Sequence, residues 1–210
     1  MELFFGKRRA QSAVGFWVGE GLTGRLQMHA KSSEMQDFIS RARHQITEAF
    51  NDLVADSVEG PDRVVLRRVK KADGLRLLDE NGRDIGDIDV LVADTQAKLL
   101  FVLETKDFET ARTPWELGGE IKKIFGAQKG TVVLHKRRVA WVERNMDRVL
   151  AAMRISETPN RGQWQVRAAI VVSELLLSPL VVESDLPVVP IAEIESLFHL
   201  EKPSRRRRRR

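Results

Sequence analysis

The sequence predicts an α/β protein: a mixed central sheet of about four to five strands flanked by helices, with a core in the order αβββαβ. Three observations predict it. A stretch opening at Ser32-Ser33 carries apolar residues at helical spacing for more than twenty positions. Three apolar runs follow, separated by turn residues. A helical segment then divides the third run from a late one, Gln165-Val166-Arg167-Ala168-Ala169-Ile170-Val171-Val172.

Each element has its own local cause. Residues 1–31 are punctuated by Gly6, Gly15, Gly19, Gly21 and Gly24, with Phe16-Trp17-Val18 the one strong apolar cluster, and read as an N-terminal extension that packs on the core or belongs to an assembly surface. Ser32-Ser33 offers an N-cap before Glu34. Met35, Phe38, Ile39, Ala42, Ile46, Ala49, Phe50 and Leu53 then recur at the spacing of one helix face over residues 34–57, and Glu59-Gly60-Pro61 stops the helix. Arg63–Val69 reads as a strand with one wet end. Asp79-Glu80-Asn81-Gly82 is a turn. Residues 85–93 and 99–106 are two further strands, close enough for an antiparallel hairpin. Thr113-Pro114 starts a helix over 114–124. Gly126 and Gly130 break it, and a long helix over 132–153 follows, with Val139, Val142, Met146, Val149, Leu150 and Met153 on one face. After the strand at 165–172, residues 186–190 suggest a short edge piece and 191–199 a last helix. The main domain is thus residues 32–200, with 1–31 an extension and 201–210 a tail.

Composition bounds the function. The chain has 210 residues and 42% hydrophobic content, enough for an ordinary soluble core. No apolar run approaches the roughly 20 residues that span a bilayer, and the start does not read as a secretory signal, so no membrane partner is expected. The absence of cysteine excludes disulfides and zinc fingers and is compatible with a cytoplasmic setting. The net charge of +5 comes from Arg205–Arg210; without these six, 29 basic residues face 30 acidic ones, a balance of −1. Such a tail is expected to be disordered; it could contact phosphates without sequence preference, and a solubilising or incidental terminus is an equal reading.

The chemistry-bearing segment is Gly86-Asp87-Ile88-Asp89-Val90-Leu91-Val92, then Leu99-Leu100-Phe101-Val102-Leu103 ending in Glu104-Thr105-Lys106. Charges beside buried strands are costly unless they are paired, bind a metal, or lie at an open strand end. On a strand, Glu104 and Lys106 share a face and Thr105 points away, while its carbonyl still reaches toward a metal held by its neighbours. Asp87 and Asp89 share a face of the preceding strand. An aspartate and Glu104 could then hold one hard cation, magnesium above all, with water and a phosphate oxygen completing its shell. The competing reading is a surface ion-pair cluster at a sheet end. A second Glu-x-Lys, Glu120-Ile121-Lys122, falls in what reads as an exposed helix.

These residues resemble the PD-(D/E)XK nuclease superfamily, the restriction-endonuclease-like fold, over residues 34–172. The Gly-acid-Ile-Asp segment and the apolar strand ending in Glu-x-Lys carry the resemblance, and the element order is similar. Ile88 stands where the eponymous proline would be. By position, the resemblance implies Asp89 and Glu104 as metal-binding acids, with the Thr105 carbonyl beside them, Lys106 as the lysine assisting the attacking water, and Asp87 as an auxiliary acid. It implies a magnesium-dependent nuclease hydrolysing phosphodiester bonds in DNA, with Mn2+ able to substitute. The alternative is a catalytically silent nucleic-acid-binding module of the same fold within a larger complex. DNA is the expected partner, and a homodimer is an open one. Many members carry an acid on the first helix; Glu48, the one glutamate well inside it, falls opposite the apolar stripe and reads as solvated.

One more feature points to nucleic acid. Arg137, Trp141, Arg144 and Arg148 share a helix face, a pattern that suits a phosphate-binding platform, or else a core-rim tryptophan with solvated arginines. His135, just before them, is more often structural than a phosphate contact.

Overall fold

The computed structural model describes residues 11, 12, 15, 32–108, 110–155 and 164–199. The expected tail and nearly all of the expected N-terminal extension lie outside these residues. The chain divides into two compact units, one up to Ala49 and one from Phe50 onward. Helix α1, Ser33–Ser57, spans the boundary. In the first unit its start is capped by Ser32 Oγ, which accepts the Met35 N–H at 3.3 Å, and Glu48 pairs with His44 one turn away.

The second unit is α/β, as expected. Its five-stranded mixed sheet has the order β1–β4–β5–β6–β7. These strands are β1 Arg63–Val69, β4 Ile88–Asp94, β5 Leu99–Lys106, β6 Gln165–Val172 and β7 Val188–Pro190. β4 pairs antiparallel with both β1 and β5, whereas β5–β6 and β6–β7 are parallel. The strand expected at 85–93 starts later, at Ile88, because Gly86 turns the chain at φ +80°. Between β1 and β4 a two-stranded ribbon forms, β2 Lys71–Ala72 and β3 Leu75–Arg76, too short for any sequence period to reveal.

The long connection from β5 to β6 holds three helices: α2 Pro114–Phe125, α3 Thr131–Arg144 and α4 Met146–Ala152. Thr113 caps α2, its hydroxyl accepting the Glu116 N–H at 3.2 Å, and Pro114 follows without a lost donor. The single helix expected over 132–153 is two, divided at Asn145. Two short pieces complete the unit: α5, Ser178–Val181, and α6, Ser196–His199, the latter following a 3-10 turn over Ile191–Glu193.

Alternation along the strands splits the core between the two sheet faces. On one face Val90, Val92, Phe101, Leu103, Ala169 and Val171 meet Phe50, Val54, Ala55 and Val58 at the C-terminal end of α1. On the other, Leu91, Ala93, Leu100 and Val102 meet Trp141, Val142, Met146, Val149 and Leu150 from α3 and α4. β5 is therefore apolar on both sides, which is why its sequence is a continuous run rather than an alternation.

Candidate metal and phosphate site

The β4–β5 ladder closes at Val90–Leu103. One step further, where Asp89 would face Glu104, the strands no longer pair. β5 continues on β6, with Glu104 beside Ile170 and Lys106 beside Val172. Its β4 edge is open there, and Asp89 fills it. The Thr105 N–H, deprived of a strand partner, donates to Asp89 Oδ2 at 2.8 Å. The Thr105 hydroxyl lies 3.2 Å from the same oxygen and also meets Asn51 Oδ1 from α1. A carboxylate thus does the work of the missing ladder acceptor, through a charge-assisted bond stronger than the one it replaces.

Glu104 points to the α3 face and is 4% exposed. A carboxylate so buried needs partners. Lys106 Nζ is 2.7 Å from its Oε1, and Arg138 Nη1 bonds its Oε2. Arg138 is itself held by Nε, which donates to the Ile85 carbonyl at 2.9 Å. Its guanidinium lies against Gly86, where a Cβ would come within 2.8 Å of Nη2. Gly86 is thus needed twice, for its positive φ and for the arginine's seat. Of the surface ion-pair cluster weighed from sequence, only Glu104 and Lys106 pair; Arg138 joins them, and the shared carboxylate is buried.

His135 completes the site from beneath. It is fully buried, and its Nε2 lies 3.0 Å from the Val102 carbonyl. A carbonyl can only accept, so Nε2 carries the proton. Nδ1 is then a bare lone pair 3.7 Å from Glu104 Oε2, with no hydrogen-bond partner among the described residues. Burial pulls the imidazole pKa down to about 4, so it is neutral near pH 7. Burial, and then the charge of Glu104, raise the Asp89 carboxyl above its ordinary range.

These residues fit a hard divalent cation in kind. Two carboxylates and a backbone carbonyl are oxygen donors, and a positive charge beside Asp89 would relieve the burial and repulsion that raise its pKa. Among the described residues, no three His, Asp or Glu side chains stand together as a ready cage. A cation here would rest on Asp89, Glu104 and the Thr105 carbonyl, and would share Glu104 with two protein cations.

The structure brings together Asp89, Glu104, Thr105 and Lys106. Asp87 precedes β4, so the same-face argument for it does not hold; it is half-buried and its charge still reaches Asp89. Sequence reasoning missed Asn51, Arg138 and the placement of His135. The signal for Asn51 was a polar residue one position from Phe50 in the α1 stripe.

The second Glu-x-Lys is corrected in one respect. Glu120 is buried, not exposed: its Oε1 accepts the Ser178 N–H at 2.7 Å and its Oε2 the Ala111 N–H at 3.3 Å. It ties the loop at Ala111 to the start of α5. Trp141 is 3% exposed and belongs to the core, so it is no stacking platform. Arg137, Arg144 and Arg148 are exposed beside it. Arg144 pairs with Glu80, and Arg148 Nη1 lies 3.7 Å from Asp73 Oδ2, both acids coming from the ribbon and its following turn.

No protein-family model matches the chain, and no curated protein or solved structure shows significant similarity to it. Among the described residues no helix is long and apolar enough to cross a membrane.

Proposed function

We propose that this chain is a magnesium-dependent nuclease of the PD-(D/E)XK type that hydrolyses phosphodiester bonds in DNA in a cytoplasmic setting. One observation carries the reading. Where β4 and β5 part, Asp89 holds the N–H of Thr105, the residue next to Glu104, and the Lys106 ammonium lies 2.7 Å from Glu104 Oε1. Asp89, Glu104 and the Thr105 carbonyl would hold Mg2+, or Mn2+ in its place. When bound, such an ion acidifies a water and neutralises charge on the phosphate. Lys106 is 35% exposed, so its side chain is within reach of a bound phosphate and of solvent. There it orients the attacking water and stabilises the charge that grows on the phosphoryl oxygens. The Thr105 N–H fixes Asp89, Asn51 holds the Thr105 hydroxyl beside it, and Asp87 adds negative charge nearby. Arg137, Arg144 and Arg148 supply exposed cations for the nucleic-acid backbone.

Incubation with plasmid, linear and branched DNA in Mg2+, Mn2+ or EDTA tests the proposal. Metal-dependent cleavage that Lys106→Ala abolishes, with DNA affinity retained, supports it. Asp89→Asn should lose cleavage by losing metal. The pairing of both Glu104 oxygens with protein cations favours a second reading, a non-cleaving nucleic-acid-binding module. DNA binding with no cleavage under any metal selects that reading. A Lys106→Ala protein that cuts at the parent rate refutes the first.

A further inference from the structure

Arg138 stands outside the acid-lysine set, yet it is the most constrained cation at the site. Its side chain is 12% exposed. Nη1 is bound to Glu104 Oε2 and Nε to the Ile85 carbonyl, and Gly86 leaves the space that the guanidinium fills. The two anchors differ in kind. The carbonyl is a fixed neutral acceptor on the turn before β4. The carboxylate is the group that a divalent cation would need.

We propose that Arg138 is a positioning residue that competes with the divalent cation for Glu104, so that the cation binds only as Nη1 gives up Oε2. The inference rests on the nuclease reading of this site. Lys106 already holds Oε1, so a cation approaching Glu104 meets both oxygens taken and two positive charges beside them. Like charges a few ångströms apart in a partly buried site repel strongly. The Nε bond to Ile85 keeps the displaced guanidinium near the site, where its planar fork suits a phosphate oxygen. Metal affinity is then set by an internal competitor, not by the carboxylates alone.

Titration of the full chain with Mn2+ alone, followed by calorimetry and by the paramagnetic resonance of free Mn2+, tests this without any turnover. Arg138→Gln should bind Mn2+ about tenfold more tightly than the parent, or better, because it removes both competitor and repulsion. Arg138→Lys keeps a cation but loses the fork and the Ile85 anchor, and should fall between the two. An affinity in Arg138→Gln equal to or weaker than the parent's overturns the proposal, since an arginine that merely orients Glu104 would give that result. Thermal melts establish that each variant is folded. If Arg138→Gln is not, Arg138→Lys decides: tighter binding supports competition, and unchanged or weaker binding refutes it. Asp89→Asn is the control on the underlying reading. Mn2+ binding that Asp89→Asn leaves intact, or no Mn2+ binding by the parent, removes the metal site itself. Binding that depends on Asp89 but not on Arg138 removes only the competition.

Discussion

Replacing Glu104 by glutamine should cost stability as well as chemistry, by an amount the geometry sets. The glutamate is 4% exposed and holds a cation on each oxygen: Lys106, 35% exposed, and Arg138, 12% exposed. Glutamine keeps the shape but has one acceptor oxygen; its NH2 must face one of the two cations. Removing one partner of a buried ion pair costs about 3–5 kcal/mol, because the survivor is left uncompensated. Lys106 can turn to solvent and escapes most of that cost; Arg138 cannot without giving up Ile85. The lower half of the range is therefore expected, roughly 3 kcal/mol, a large share of the 5–15 kcal/mol typical of a domain. For a chain of this size that is roughly 6–12 °C in Tm. Urea unfolding in EDTA measures it, as a drop in midpoint at unchanged slope. The double variant Glu104→Gln with Arg138→Gln should recover part of the loss, since no charge is then stranded. A Glu104→Gln midpoint within error of the parent, or a double variant whose losses simply add, would refute the claim that Arg138 and Glu104 depend on one another.

Other perturbations have equally definite signs. His135 is held neutral with its pKa at about 4, against about 6.5 when unfolded, so between those values the unfolded chain binds the extra proton. The share of stability that His135 carries, measured in EDTA as the difference between the parent and His135→Asn, should therefore fall by about 3 kcal/mol as pH drops from about 6.5 toward 4; a difference that stays constant over that range would count against the buried neutral ring. Gly86→Ala should destabilise by about 1–3 kcal/mol through its φ of +80° and its contact with Arg138. Gly118→Ala, in α2 with nothing within 4 Å of its added Cβ, should stabilise by about 0.5–1 kcal/mol, and calorimetric melts that reverse this order would contradict the backbone assignment. Truncation after Ser204, or Arg137→Ala with Arg144→Ala and Arg148→Ala, should weaken DNA binding and lower the slope of log affinity against log salt by about 0.9 per lost contact. An unchanged slope in both would place the DNA surface elsewhere.

The amino-acid sequence alone determined what depends on neighbours along the chain. β5 and β6 were legible to the residue, because continuous apolar runs bounded by polar residues leave little freedom in where a buried strand begins and ends. The start of α2 was legible because Thr113-Pro114 is a local capping device. The charges of Asp89, Glu104 and Lys106 were conspicuous in the sequence because each stands at the end of an apolar run. Tertiary structure decided the rest. Whether β4 and β5 pair as far as Asp89 depends on Gly86 and on how far β5 is carried by β6, neither of which leaves a periodic trace. Arg138 lies 34 positions from Glu104, and only the packing of α3 on the sheet brings them together. The same packing buries Trp141 while leaving the neighbouring arginines exposed, a choice that helical spacing leaves open. Glu120, whose own triplet is nearly indistinguishable from the one at the site, is buried instead against the loop at Ala111 and the start of α5. Long-range burial and ion pairing are properties of the fold, and a linear motif carries them only where the strand that bears it is itself buried.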